Sequence, residues 1–155
     1  MLEHYAQNGL SVASLRLHDT YGPNDKRKNI VNLIADALIS GEPLNMSGGE
    51  QQIDLIHIDD VVSAILCTIG VLKGKNSGCV MKDAVRSGKP VTIQNLVKIM
   101  TQAYGLDSTE IFNLGFYPYH KRERFVLRTQ QPTVPNWKSK ISLVNGINKL
   151  LAERG

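Results

Sequence analysis

The chain has 155 residues, of which 42% are hydrophobic and 21% are charged. This composition is sufficient for one globular domain with a modest core and excludes a disordered chain. The formal net charge is +4, but the basic residues are scattered except in two clusters, at residues 26–28 and 121–124. Because a continuous basic stripe is absent, we expect a small anionic ligand and no nucleic-acid partner.

The cysteines and the apolar runs indicate the compartment. Cys67 and Cys79 lie in apolar sequence and offer neither a disulfide framework nor the spacing of a zinc site. The longest apolar run, residues 64–72, is too short to cross a bilayer, and no segment has the pattern of a signal peptide. We therefore expect a cytoplasmic protein with reduced thiols, no membrane partner and no bound metal.

Helical and extended patterns alternate along the chain, and Gly, Pro and Asn mark most of their ends. Asp59 or Asp60 is expected to cap the helix after the second strand, and Thr92 and Ser142 to cap the last two helices. The predicted elements are a helix tail (1–7), a strand (10–20), a helix (29–39), an extended piece (44–47), a strand (53–58), a helix ending at 69, a loop (70–78), a strand (79–85), a helix between Thr92 and Gly105, a strand-like piece (111–114) and a helix after Ser142.

This alternation predicts an α/β layered fold, in which parallel strands need helices on both faces. A phosphate-binding glycine loop of such a fold follows a strand and begins a helix. Gly70, Gly74 and Gly78 have the opposite context, since they follow a helical pattern and precede a strand. We interpret them as a surface loop.

Two pairs of reactive side chains are interpreted as coincidental. Tyr117 and Lys121 have the Tyr-x-x-x-Lys spacing, which on a helix lets the ammonium lower the pKa of the phenol. Here the spacing includes Pro118 and falls in an irregular basic segment. His57 and Asp59 point to one side of a strand, but no third metal ligand is in view. We therefore expect neither a catalytic pair nor a metal site.

Polar residues gather where the first strand ends. His18, Asp19 and Thr20 follow alternating apolar residues, and Gly22-Pro23 then turns the chain. Ligands of open α/β sheets lie beyond the carboxyl ends of the strands, and the amides at a helix N-terminus favour an anion. Residues 26–28 add basic side chains at the next helix entrance. The sequence therefore predicts a site for a phosphate-bearing small molecule.

Three segments in order carry a resemblance to a known family. LRLHDTYGPND (15–25) is similar to a Leu-Arg-x-x-Asn-x-Tyr-Gly-Pro strand end. GEPLNMSGGEQQIDLIHIDDVVSAI (41–65) is similar to a segment ending in Arg-Asp, two apolar residues and His-Val-Asp-Asp-Val. PNWKSKISLVNGINKLL (135–151) is similar to a closing Trp-containing helix. Together they resemble the extended short-chain dehydrogenase/reductases that act on nucleotide-sugars, the NAD-dependent epimerase/dehydratase family.

The resemblance implies a Rossmann-like NAD(P)-binding fold with a small substrate-binding lobe. Residues 1–155 would be its C-terminal, nucleotide-sugar-binding portion, with the glycine-rich loop and the catalytic Tyr-x-x-x-Lys expected upstream. We therefore expect no catalytic residue in this chain, no activity and no secure NAD(P) binding by the chain alone, and either self-association or pairing with a separate N-terminal half. A non-catalytic nucleotide-sugar-binding module and one half of a split enzyme remain the alternatives.

Two departures from the family pattern point to one branch. Asp19 stands where the family usually has Asn, and Ile53 stands where it usually has an Arg that holds the nucleotide diphosphate. Both resemble the branch that makes CDP-abequose and related CDP-3,6-dideoxyhexoses for bacterial O-antigen lipopolysaccharide. The implied ligand is a CDP-sugar, and the implied reaction is hydride transfer between NAD(P) and a sugar carbon.

Carried over by position, the resemblance places Leu17 and His18 near the nicotinamide end of the cofactor. Core packing is the alternative for Leu17, Ile30 and Met46, and turn capping is the alternative for Asp19. The implied substrate contacts are Asp19 at the sugar or phosphate, Lys28, Asn29 and Ile30 along the nucleotide, Met46 and Ser47 beside the base, and Arg27, Lys28, Arg122 or Arg124 for the charge that Ile53 lacks.

Overall fold

The computed structural model describes residues 1–127 and 130–154, and it has the predicted mixed α/β architecture. Helices and short strands alternate along the described chain. The helices are α1 (Leu2–Gln7), α2 (Ile30–Ser40), α3 (Ile58–Lys73), α4 (Ile93–Ala103) and α5 (Leu143–Ala152). The strands are β1 (Val12–Leu17), β2 (Asp19–Tyr21), β3 (Leu44–Asn45), β4 (Gln52–Ile53), β5 (Leu55–His57), β6 (Val80–Val85), β7 (Val91–Thr92) and β8 (Phe112–Asn113).

These strands form four two-stranded sheets. β1 runs parallel to β6, β2 to β5 and β3 to β8, whereas β4 and β7 are antiparallel. The β1–β6 register places Leu15 beside Asp83, and the β2–β5 register places Thr20 beside Ile56. Parallel partners need long crossover connections, and α2 and α3 lie within those connections.

Each of the first two predicted strands is divided in the structure. The strand predicted over residues 10–20 breaks at His18, and its two parts pair with different strands. The strand predicted over residues 53–58 breaks at Asp54, where antiparallel pairing gives way to parallel pairing. Apolar alternation shows which face of a strand is buried but does not show a change of partner. Both breaks adjoin the predicted site.

The helix caps are partly as predicted. Thr92 and Ser142 each accept a hydrogen bond from the backbone N–H three residues later, at 3.2 Å. The expectation for Asp59 or Asp60 is wrong, because the N-cap of α3 is His57, two residues before Asp59, and its Nδ1 accepts from the Asp59 N–H at 3.2 Å. α3 also continues to Lys73, so part of the predicted loop over residues 70–78 is helical.

The predicted capping carboxylate of Asp60 has another role. Asp60 is buried and accepts the backbone N–H groups of Lys140 and Ile141 at 3.0–3.1 Å, which fixes the chain before α5 against α3. Nearby, the indole of Trp137 donates to Ser63 Oγ at 2.8 Å. The segment with two prolines, residues 130–137, is therefore anchored at its end rather than free.

The main core lies where α2, α4 and α5 meet. Ile34, Leu96 and Ile147 are fully buried there, as the helical spacing predicts. Tyr21, at the end of β2, also enters this core, and Gly146 of α5 gives the tyrosine hydroxyl its space, since a Cβ at that position would overlap it. The end of β2 is thereby held in a fixed position relative to α5.

Candidate functional site

A cavity of about 330 Å³ opens at the junction between β1 and β2, and we name it the strand-end cavity. It lies between the carboxyl end of the strands and the N-terminus of α2, where ligands of α/β folds bind. Six residues predicted at the cofactor or substrate come together there, namely Leu17, His18, Asp19, Arg27, Asn29 and Ile30. The remaining lining residues are Thr20, Val31, Ile53 and Leu55.

Arg27 lines the strand-end cavity and is held in place by hydrogen bonds. Its guanidinium donates to the carboxylate of Asp25 at 2.7–2.9 Å, and also to the backbone carbonyl and the hydroxyl of Thr20 at 3.0 Å. The hydrogen bonds from Arg27 lower the pKa of Asp25 to about 2. The arginine charge is therefore balanced by a carboxylate, although 63% of its side chain remains exposed.

Asn29 is the N-cap of α2 and faces the same cavity. Its side-chain oxygen accepts from the Asn32 N–H at 2.9 Å, while its amide nitrogen donates to Asp25 Oδ2 at 2.9 Å. Asn32, which is buried, donates to the backbone carbonyls of Asp25 and Arg27. The turn before α2 is thus closed by its own side chains, which preorganises the helix entrance.

Asp54 is a buried carboxylate that the sequence analysis did not single out. It accepts from Ser87 N at 3.0 Å, from Ser87 Oγ at 2.5 Å and from Gly88 N at 3.0 Å. Its other neighbour is His18, whose Nδ1 lies 3.9 Å from Asp54 Oδ2. Asp54 therefore joins the loop after β6 to the strand junction. The signal in the sequence was a single carboxylate between the apolar residues Ile53 and Leu55.

Met46 and Ser47, predicted beside the base, lie in a second cavity of about 410 Å³, which we name the β3 cavity. Ile30 lines both cavities, so the two adjoin at the start of α2. Met46 is buried in the core, as the packing alternative predicts, and it also contributes to the wall, while its position beside the base stays a prediction. Its carbonyl accepts from the Tyr117 N–H at 3.2 Å.

The remaining predicted substrate residues lie elsewhere. Lys28 lines a groove beside Asp36 and Arg154 rather than either cavity. Arg122 and Arg124 are absent from the walls of both cavities, and their role stays a prediction. Tyr117 and Lys121 lie in a stretch, residues 114–127, that has no helix, so their spacing does not place them on one helix face.

Residues 1–127 and 130–154 contain neither a cluster of metal ligands nor a membrane-spanning helix. Within them, no three His, Cys, Asp or Glu side chains are grouped closely enough to hold a metal ion. No helix in the same residues has both the length and the apolar character needed to cross a membrane.

Sequence comparison identifies the family. The sequence model of the NAD dependent epimerase/dehydratase family matches residues 1–80, just over half of the chain. The chain belongs to this family. The match confirms the relationship inferred from the three ordered motifs, and the family's own description makes NAD its cofactor.

Curated relatives share a single name. A CDP-abequose synthase of Yersinia pseudotuberculosis is 39% identical over 75 residues, which are 48% of this chain and 26% of the relative. A CDP-abequose synthase of Salmonella typhimurium is 27% identical over 153 residues, which are 96% of this chain and 50% of the relative. The chain thus spans half or less of the length of these relatives.

Solved structures of similar proteins have the same fold. UDP-glucose 4-epimerase of Thermotoga maritima, solved with UDP-glucose, superposes with a TM-score of 0.73 at 23% identity, covering 98% of this chain and 50% of that one. MoeE5, solved with UDP-glucuronic acid and NAD, gives a TM-score of 0.75 at 20% identity, with coverage of 98% and 50%. These superpositions confirm the Rossmann-like α/β fold.

Proposed function

We propose that this chain is the C-terminal, nucleotide-sugar-binding portion of an NAD-dependent oxidoreductase or epimerase that modifies a CDP-sugar. The observation that carries the proposal is the pair of adjoining cavities at the start of α2, which share Ile30. A nucleotide-sugar has two dissimilar ends, a polar sugar diphosphate and a planar base, and needs two connected compartments. The names of the curated relatives support a CDP-sugar as the ligand.

The two compartments differ in the way that such a ligand requires. In the strand-end cavity, Asp19 offers a carboxylate for sugar hydroxyls, and the N-terminus of α2 carries the positive end of a helix dipole for a phosphate. Because Asp25 balances Arg27, the second phosphate charge falls to Lys28, Arg122 or Arg124 in this proposal. The base would then occupy the β3 cavity, beside Met46.

The fit of the NAD(P) cofactor to this chain is partial. Leu17 is 47% exposed at the end of β1, and His18 is held beside Asp54, so this strand end has an apolar and a polar surface for the nicotinamide end. The cofactor would supply or accept the hydride. Within the described residues, no glycine-rich turn joins a strand directly to a helix, which a dinucleotide pyrophosphate requires. We therefore assign only the nicotinamide end to these residues.

Titration of the isotope-labelled chain with CDP-glucose tests the proposal. We expect the amide signals of Asp19, Asn29 and Met46 to shift, because these residues line the two cavities. Leu143 and Ile147, on α5, line neither cavity and serve as internal controls. Equal shifts at all five positions, or none at millimolar ligand, would contradict the assignment.

A further inference from the structure

The β3 cavity has walls suited to a planar, uncharged ring. Tyr117 and Tyr119 line it, and edge contacts with Phe116 and Phe125, at centroid separations of 4.9 Å, hold the two tyrosine rings. The hydroxyl of Tyr119 also accepts from the Glu50 N–H at 3.1 Å. Fixed aromatic faces of this kind stack on bases of any sequence. The volume of about 410 Å³ lies within the range of small-ligand pockets, about 300–1,000 Å³.

The side chains of this wall offer a phosphate little positive charge, since His120 is the one basic side chain among the described lining residues. None of the described residues that line the β3 cavity is a lysine or an arginine, whereas Glu123 contributes a carboxylate. Glu123 is half-buried, and its side chain makes no hydrogen bond or ion pair with the described residues. A partly buried carboxylate without a partner favours a ligand that donates hydrogen bonds.

Gln51 gives the same wall a second acceptor. Its amide nitrogen donates to Ser47 Oγ at 3.2 Å, which leaves the amide oxygen as the unused group. This oxygen is buried and has no hydrogen-bond partner among the described residues. By contrast, the side-chain oxygen of Asn45 is already used, because it accepts from Asn113 at 2.8 Å. Gln51 and Glu123 therefore give the wall two acceptors without a partner among the described residues, while His120 and Tyr117, which can donate, also line it.

Cytosine and uracil differ in the group that such a wall would meet. Cytosine presents an exocyclic amine, a double donor that matches the two acceptors Glu123 and Gln51, while uracil presents a carbonyl oxygen at the same ring position and only one donor, the N3–H beside it. A carbonyl placed against a carboxylate leaves two acceptors facing each other without a proton between them. The two rings have otherwise the same size and stacking surface, so the hydrogen-bonding edge of the base determines which of them binds more tightly.

We propose that Glu123, supported by Gln51, makes the β3 cavity selective for a cytosine nucleotide over a uracil nucleotide by accepting the exocyclic amine of the base. This inference rests on the proposed function, because it assumes that the base of a nucleotide enters this cavity. It adds to that function the side chain, Glu123, that distinguishes cytosine from uracil. Glu123 acts on binding only and takes no part in the chemistry at the sugar.

Calorimetric titration of the purified chain with CDP and with UDP provides the test. We expect CDP to bind at least about tenfold more tightly than UDP, as for a site that loses a charged hydrogen bond. Glu123→Gln supplies an amide that can donate to the uracil carbonyl, so it should bring the two affinities within about threefold by strengthening UDP binding. Glu123→Ala should bring the CDP and UDP affinities closer together by weakening CDP binding alone. Glu110→Gln, an exposed carboxylate outside the cavity, should leave the ratio unchanged.

The outcomes separate the two proposals. The selectivity proposal is wrong if CDP and UDP bind equally to the unmodified chain. It is also wrong if both Glu123 variants have the same ratio of CDP affinity to UDP affinity as the unmodified chain. In either case the nucleotide site itself is retained. If neither nucleotide binds at millimolar concentration to a chain with a cooperative thermal transition, the proposed function fails and the selectivity fails with it. Melting curves of the Glu123 variants confirm that a change in the ratio reflects binding and not unfolding.

Discussion

Asp54 shows how one buried side chain holds the candidate site together. It is 3% exposed, and it accepts three hydrogen bonds from residues 87 and 88 while lying beside His18. The sequence predicted the neighbours His18 and Asp19 from their position at a strand end. It did not predict Asp54, because one polar residue in an apolar strand is compatible with an outward-facing position. Only the division of the strand at Asp54 turns it inward.

Replacing Asp54 by Asn should lower the free energy of unfolding by about 1–3 kcal/mol, the range for a buried donor left without an acceptor. The variant keeps one acceptor oxygen for Ser87 but turns an N–H₂ group towards the Gly88 N–H. Urea unfolding measures the difference. Asp107→Asn, an exposed carboxylate, is the matched control and should stay within about 0.5 kcal/mol of the unmodified chain. Equal stability of both variants would show that Asp54 is not structurally important.

Asp25 gives the helix entrance a defined acid sensitivity. Its pKa is about 2 in the folded chain, against 3.8 without partners, because Arg27 hydrogen-bonds the carboxylate. In the interval from pH 3.8 down to about 2 the unfolded chain binds the proton and the folded chain does not, so stability falls as the pH falls. Asp25→Asn should flatten this part of the stability curve, measured by urea unfolding at pH 2 to 5. An unchanged slope would contradict the assignment of the Arg27 pair.

Among the secondary-structure elements, α3 departs furthest from its prediction. Its cap is His57, a residue that sequence rules do not favour at this position, and the two following aspartates looked like better candidates. Burial decides between them, because His57 is 1% exposed and packs its ring edge-on against Tyr21 at 5.4 Å. By contrast, α4 and α5 begin at the predicted Thr92 and Ser142. Local caps are predictable where no tertiary contact competes.

The His57 cap should make α3 sensitive to mild acid. Burial lowers the pKa of His57 below 6.5, and Nδ1 must stay unprotonated to accept the Asp59 N–H. As the pH falls below 6.5 the unfolded chain takes up a proton first, so stability decreases until the folded imidazole is also protonated. His57→Asn keeps a side-chain acceptor but does not titrate, and it should remove this slope between pH 7 and 5 in thermal melts. His4→Asn, at an exposed position, should retain the slope.

At the scale of the whole molecule, the described part of the chain leaves apolar and hydrogen-bonding surface uncovered. β1 pairs with β6 on one side, and no other described strand pairs with it. α3 exposes Val62, Leu66 and Ile69 at helical spacing, with 45–63% of each residue accessible. The family resemblance implied self-association or pairing with an N-terminal half, but the sequence did not show that α3 would share the uncovered surface. Unpaired strand edges together with apolar patches promote association.

We therefore expect the chain to self-associate or to bind a partner that adds a strand to β1. A single substitution can remove a hydrogen-bond donor from the open edge of β1 without disrupting the folded chain. The N–H of Val12 donates to the carbonyl of Cys79, just before β6, and the N–H of His18 donates to Val85 of β6, so the alternation of a strand directs the N–H of Ala13 towards the open edge. Ala13→Pro removes that donor without removing a bond to β6, and proline is tolerated on edge strands. Ser14→Pro, one position along, removes a donor on the β6 side and should lower the melting temperature.

The measurement is the mass in solution by light scattering over a range of concentrations. The unmodified chain should increase in mass with concentration, and Ala13→Pro should shift that increase to at least about tenfold higher concentration while melting close to the unmodified chain. Association through a strand edge explains this pattern, since a proline blocks the addition of a neighbouring strand. A chain that stays monomeric at every concentration, or a proline variant that associates as readily as the original, would show that the open edge of β1 is not the surface used.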